Sequence, residues 1–88
     1  MTDIVISECM DQAAVDRLAA EFGVVYDKGL VDRPDELAEL AAQCRALIVR
    51  NRTQVRGRLL EGRNLEVVGR LGVGLDNIDR AACEARNI

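Results

Sequence analysis

Histidine is absent from the 88 residues, and so is tryptophan. Without an imidazole, no Ser–His or Cys–His nucleophile can be built from these residues, and no side chain has an ordinary pKa near neutrality. The aromatics are Phe22 and Tyr26 alone. The core must therefore be aliphatic, and there is no platform on which single-stranded bases could stack. Cys9, Cys44 and Cys83 are odd in number and lack C-x-x-C spacing, which fits reduced, packed thiols rather than a disulfide framework or a zinc site. No apolar run approaches the roughly 20 residues that cross a bilayer, and "MTDIVISE" lacks the basic flank and long apolar stretch of a signal peptide. The expected location is the cytoplasm, with no membrane partner.

Charge is present but unevenly spread. The net charge is −3, yet residues 1 to 44 carry ten acids against three bases, a balance of −7. Residues 45 to 70 carry seven arginines against two glutamates, a balance of +5. An arginine block raises the possibility of nucleic-acid binding. That function would favour accompanying lysines and aromatic platforms, which this block lacks, and the whole chain is acidic, so no nucleic-acid partner is expected.

The apolar pattern alternates between strand and helix. "DIVIS" (3–7) and "VVYD" (24–27) are short β-branched runs, and "ALIV" (46–49) is continuously apolar, as expected of parallel strands covered on both faces. Between the first two, Ala14, Val15, Leu18, Ala19 and Phe22 fall on one stripe of a 3.6-residue period. In "DRPDELAELAAQC", Asp32 reads as an N-cap, Pro34 sits in the first turn, and Leu37, Leu40, Ala41 and Cys44 form the buried stripe. A shorter helix is expected around Val55 to Leu60, then a strand in "LEVVGRLG" and a last helix capped by Asp79 and stopped near Asn87. The order β-α-β-α-β-α-β-α specifies an α/β fold, an open parallel sheet with helices on both faces. Ile88, beyond the helix stop, reads as the first residue of a fifth strand.

Such sheets gather ligands at the carboxyl ends of their strands. Two loops there carry suitable chemistry, "VRNRT" (49–53) after the third strand and "GRLGVG" (69–74) after the fourth. The glycines run G-x-x-G-x-G, the reverse of the dinucleotide fingerprint G-x-G-x-x-G. If the two strands are neighbours, Arg50, Arg52 and Arg70 come near Gly72 and Gly74, combining forked guanidiniums with approachable backbone amides in an anion site. A lone loop arginine is usually solvated and a lone glycine is usually a turn, so it is the coincidence of both at one sheet edge that favours function. Arg56, Arg58 and Arg63 read as solvated helix-face residues. Cys9 reads as packed and Glu8 as a solvated carboxylate, and no catalytic or metal-ligating cluster emerges.

"ALIVRNRTQV", "LLEGRNLEVVGRLGVGLDNID" and "AACEARNI" together resemble the amino-terminal part of a D-isomer-specific 2-hydroxyacid dehydrogenase, the group that includes phosphoglycerate dehydrogenase. The first half of the chain resembles it only in its pattern of elements. The resemblance implies a flavodoxin-like substrate-binding domain occupying residues 1–88 in part, ending before its fifth strand, with a Rossmann domain that binds NAD absent from the chain. It implies that amides around Val73 and Gly74 hold the carboxylate of a small anionic 2-hydroxy or 2-keto acid, and that Arg50, Asn51 and Arg70 approach the substrate or its distal group. Arg52 is counted with them as substrate-binding, although it fits the comparison less closely and packing or bridging is its alternative. Reversible hydride transfer would need an arginine and a histidine from the missing part, leaving this chain inactive alone, and the parent enzyme would be a homodimer or larger. The alternative is a self-contained flavodoxin-like or receiver-like interaction module, although position 50, where a receiver needs its acceptor Asp, is Arg.

Overall fold

The computed structural model describes residues 2–88 of the chain. Four short strands, β1 (Ile4–Ile6), β2 (Val24–Tyr26), β3 (Ala46–Val49) and β4 (Val67–Arg70), form one parallel sheet in the order β2-β1-β3-β4. Register pairs Ile4 with both Val24 and Ala46, and Val49 with Arg70, so the ends of β3 and β4 lie side by side. Three helices, α1 (Gln12–Ala19), α2 (Pro34–Ala41) and α3 (Arg80–Ala85), complete the α/β fold. None of them is long and apolar enough to cross a membrane.

The two-residue period of the strands sorts their side chains onto two cores. Val5, Leu47 and Val49 face the larger one, with Leu37, Ala38 and Ala41 of α2 and Cys83 of α3. Ile4 and Ile6 face the smaller, beneath Val15 of α1. That second face is thinly covered: Val15 is the only buried residue of α1, and Phe22, expected on its stripe, lies past the helix end and is 42% exposed.

Three further expectations are not met. Asp32 does not cap α2: it closes a 3-10 turn, Leu30–Asp32, and its carboxylate bonds Arg52, while Arg33 takes the cap position before Pro34. Residues 55–60 are not an α-helix. Val55 pairs in parallel with Ile78, its backbone groups bonded to Asn77 O and Asp79 N, and a 3-10 turn, Gly57–Leu60, follows from Gly57 at φ +57°. Ile88 is not in a strand. Asn87 adopts φ 59°, its amide bonds Glu84 O at 3.2 Å, and the Ile88 amide bonds Cys83 O at 2.8 Å. This paired C-terminal stop satisfies the last carbonyls of α3 and leaves Ile88 packed on the larger core.

The arginine block also finds its counterpart. Arg52 pairs with Asp32, Arg58 with Asp35 and Arg45 with Glu66, at 2.6, 3.0 and 2.6 Å. All are exposed, so solvent screens them and none anchors the fold.

Gly62 sits beneath the end of α2, where a Cβ would meet Ala41 O at 2.8 Å and the Ala42 backbone at 3.2 Å. Helix backbone cannot swing aside as a side chain can. Gly62→Ala is therefore expected to lower the unfolding free energy by about 1–3 kcal/mol, read as a lower urea midpoint at unchanged slope.

Candidate functional site

The loop that follows β3 is organised around a carboxylate at the end of β1. Glu8 is 5% exposed, and its oxygens accept from the backbone amides of Arg50 (2.7 Å), Thr53 (3.0 Å) and Arg52 (3.1 Å). The expectation of a solvated Glu8 is thus wrong: the parallel pairing of β1 with β3 brings loop 50–53 directly over it. Burial is the largest single influence on its pKa and raises it, but the hydrogen bonds from Thr53, Arg50 and Arg52 together prevail and hold the carboxyl below its ordinary value. Ser7 and Thr53 share a hydroxyl hydrogen bond of 2.9 Å in the same buried layer.

A second buried polar side chain, Asn77, joins this loop to β4. Its Nδ2 donates to Arg50 O (2.7 Å) and Thr53 O (2.8 Å), and its Oδ1 accepts from Arg70 Nε at 3.1 Å. Arg50 in turn donates through Nε to Cys9 O. Among the described residues, neither Arg50 nor Arg70 has a carboxylate partner. Each is held by its Nε against a neutral oxygen and keeps its full charge.

Past Arg70, the Leu71 amide closes on Val49 O at 2.8 Å, after which the chain leaves the sheet. Gly72 and Gly74 have φ +133° and +84°, left-handed conformations that side chains rarely adopt. Among the described residues no backbone carbonyl accepts from the Gly72, Val73 or Gly74 amides. The Arg70 guanidinium reaches back over this turn, with Nη1 2.6 Å from where a Gly72 Cβ would stand. The loop after β4 thus presents unbonded amides with the Arg70 guanidinium beside them, a donor pair suited to an oxyanion, while the Arg50 guanidinium at the end of β3 is held toward Cys9 O after β1.

The expected site residues are not all equivalent in this geometry. Arg50, Asn51 and Arg52 lie in one exposed loop, but the amides of Arg50 and Arg52 are consumed by Glu8 and the Arg52 guanidinium by Asp32. Arg70, Gly72, Val73 and Gly74 form one turn, with Val73 92% exposed. Arg56 reaches Asp76 O at 3.4 Å, and Arg63 is exposed. Cys44 and Cys83 are buried as expected, and burial raises both thiol pKa values. Cys9 is exposed instead of packed, because β1 ends before it and only its carbonyl is engaged. Sequence reasoning missed Glu8, Thr53 and Asn77. For Asn77 a signal existed: a short amide following the glycine turn, between Asp76 and Asp79, is suited to bonding nearby backbone.

Residues 4–88 match the family described as D-isomer specific 2-hydroxyacid dehydrogenase, catalytic domain. The chain is 52% identical over its whole length to an (S)-sulfolactate dehydrogenase from Chromohalobacter salexigens, covering 29% of that protein. It is 41% identical, over 90% of its length, to D-3-phosphoglycerate dehydrogenase 3 of Arabidopsis thaliana, covering 13% of it. Among solved structures, a 2-hydroxyacid dehydrogenase from Ketogulonicigenium vulgare superposes with TM-score 0.71 at 32% identity, over all of this chain and 29% of that one. A Thermus thermophilus protein at 22% identity and TM-score 0.83, covering 99% of this chain and 29% of the other, shares the fold. The chain spans less than a third of the length of each of these relatives.

Proposed function

The chain belongs to the D-isomer specific 2-hydroxyacid dehydrogenase family, and from that premise we propose that it forms part of the substrate-binding domain of an NAD-dependent enzyme. The reaction is reversible hydride transfer between C2 of a 2-hydroxy acid and nicotinamide. The observation that carries this reading is the turn at Gly72–Gly74, with its unbonded amides beneath the Arg70 guanidinium. Those amides take the substrate carboxylate. Arg70 and Arg50, neither paired with a carboxylate among the described residues, supply charge for a second anionic group, and the 52% identity to a sulfolactate dehydrogenase supports a sulfonate in that role. Asn51, exposed beside Arg50, contributes at the rim.

The dinucleotide does not fit these residues. A pyrophosphate needs a helix that opens directly from its glycine loop. Here α3 begins only at Arg80, and the Asp79 carboxylate already caps it by accepting from Ala82 N at 3.1 Å. In this reading NAD binding falls to a separate Rossmann domain of the enzyme.

Titration of the 15N-labelled chain with sulfolactate tests this reading. Shifts are expected at the amides of Gly72, Val73 and Gly74 and at the Arg50 and Arg70 side chains, with no response to NAD. Saturable shifts that map elsewhere, or none at millimolar sulfolactate, would sink the assignment.

A further inference from the structure

Asn77 is 4% exposed, and its side chain spends every polar atom on the two loops of the site. A primary amide offers two N–H donors and one carbonyl. Here the donors go to Arg50 O and Thr53 O and the carbonyl takes Arg70 Nε, at 2.7, 2.8 and 3.1 Å. No other side chain among the described residues bonds both the 50–53 loop and Arg70. Because a guanidinium is planar, fixing Nε fixes the plane in which its two terminal nitrogens lie. For Arg70 that plane brings Nη1 over Gly72.

The chemistry of an amide matters here. A carboxylate at position 77 would hold Arg70 as well, but it would neutralise the guanidinium and face two carbonyl oxygens without a proton to offer them. A neutral amide anchors the arginine and leaves its charge for a ligand.

We propose that Asn77 is a positioning residue: it ties Arg70 to the 50–53 loop and orients its guanidinium over the Gly72 turn, so that an anion at the turn meets Arg70 in one arrangement. This rests on the anion site proposed above, but it also makes a claim about the ligand-free chain, which allows the two to fail separately. Glu8, by contrast, touches only the 50–53 loop and cannot act on Arg70.

The ligand-free measurement is the 15N order parameter of Arg70 Nε. It is expected to be high in the native chain and to fall in Asn77→Ala to that of exposed Arg63, with the backbone amide spectrum otherwise folded. Equal mobility of Arg70 in both proteins overturns the proposal whether or not any anion binds. The binding measurement is a double-mutant cycle with sulfolactate. Asn77→Ala and Arg70→Gln are each expected to weaken binding roughly tenfold, and the double variant no further than Arg70→Gln alone. Losses that multiply to roughly a hundredfold would show two independent residues and overturn it. Should Asn77→Ala not fold, Arg70→Lys serves, since it leaves both carbonyl bonds of Asn77 in place. An ammonium has no plane for Asn77 to set, so Arg70→Lys is expected to lose as much affinity as Arg70→Gln, and native affinity would overturn the proposal. If the native chain binds no sulfolactate, the functional assignment fails, and Asn77 is judged on the Arg70 order parameter.

Discussion

Glu8→Ala is expected to lower the unfolding free energy by about 3 kcal/mol, a large part of the roughly 4–13 kcal/mol that a chain of this size commands. Three backbone amides lose their acceptor at once. They are not equally able to recover it from water: Thr53 is 3% exposed and its amide is stranded, whereas Arg50 and Arg52 are exposed and rehydrate in part. Stranded buried donors cost about 1–3 kcal/mol each. The Asn77 bonds to Arg50 O and Thr53 O would then hold a loop with nothing beneath it, and the 50–53 amides should lose hydrogen-exchange protection first. A midpoint shift worth less than about 1 kcal/mol in urea would show that the carboxylate is not the loop's anchor. The same group gives the chain an acid limb. A carboxyl held below its ordinary value contributes stability that is complete above about pH 4.5 and is lost as pH falls through its lower folded-state value. Glu8→Gln should flatten that limb. A residual slope should remain from Asp27, whose carboxyl is held low first by its hydrogen bond to Arg33 and then by the Gly29 amide. An unchanged acid limb in Glu8→Gln would contradict the direction assigned to Glu8.

Glu8 also marks where the sequence stops being legible. β3 could be read at its true bounds because four apolar residues lie between Arg45 and Arg50, so both ends are signalled locally. The alternation of strands and helices, and hence the parallel sheet, follows from the same kind of signal repeated. What decides whether Glu8 is solvated is a loop 42 to 45 residues away, and no local pattern carries that information. Residues 55–60 fail for a related reason. The backbone of Val55 bonds across to residues 77 and 79 instead of to its own neighbours. At the candidate site, the sequence named the two loops but did not show how their backbone amides are spent. The "VRNRT" amides, which could have served a ligand, serve Glu8 and the fold, while those of the glycine turn remain unbonded to backbone.

The three glycines of "GRLGVG" are expected to separate on substitution by alanine. Gly69 is an ordinary strand residue of β4: a Cβ there would meet only Ile48 Cγ1 at 3.7 Å, normal van der Waals contact. Gly69→Ala should leave sulfolactate binding unchanged and move stability by less than about 0.5 kcal/mol. Gly74, at φ +84° with nothing within 4 Å of its Cβ position, tests backbone strain alone. Forcing an L side chain into that region costs about 1–2 kcal/mol, and the turn relaxes at the expense of its amide geometry, for an expected loss of affinity of roughly tenfold. Gly72 adds a second effect to the first. Its φ is +133°, and a Cβ would lie 2.6 Å from Arg70 Nη1. The far end of an arginine moves cheaply, so the fold survives, but the motion takes the guanidinium off the turn it covers. Gly72→Ala should therefore weaken sulfolactate binding roughly a hundredfold, about tenfold beyond Gly74→Ala, with nearly equal losses of stability in the two. In an Arg70→Gln background that excess should vanish, because there is no guanidinium left to displace. If Gly72→Ala and Gly74→Ala weaken binding equally in the native background, the contact between Arg70 and the turn plays no part in holding the anion, and the amides act alone.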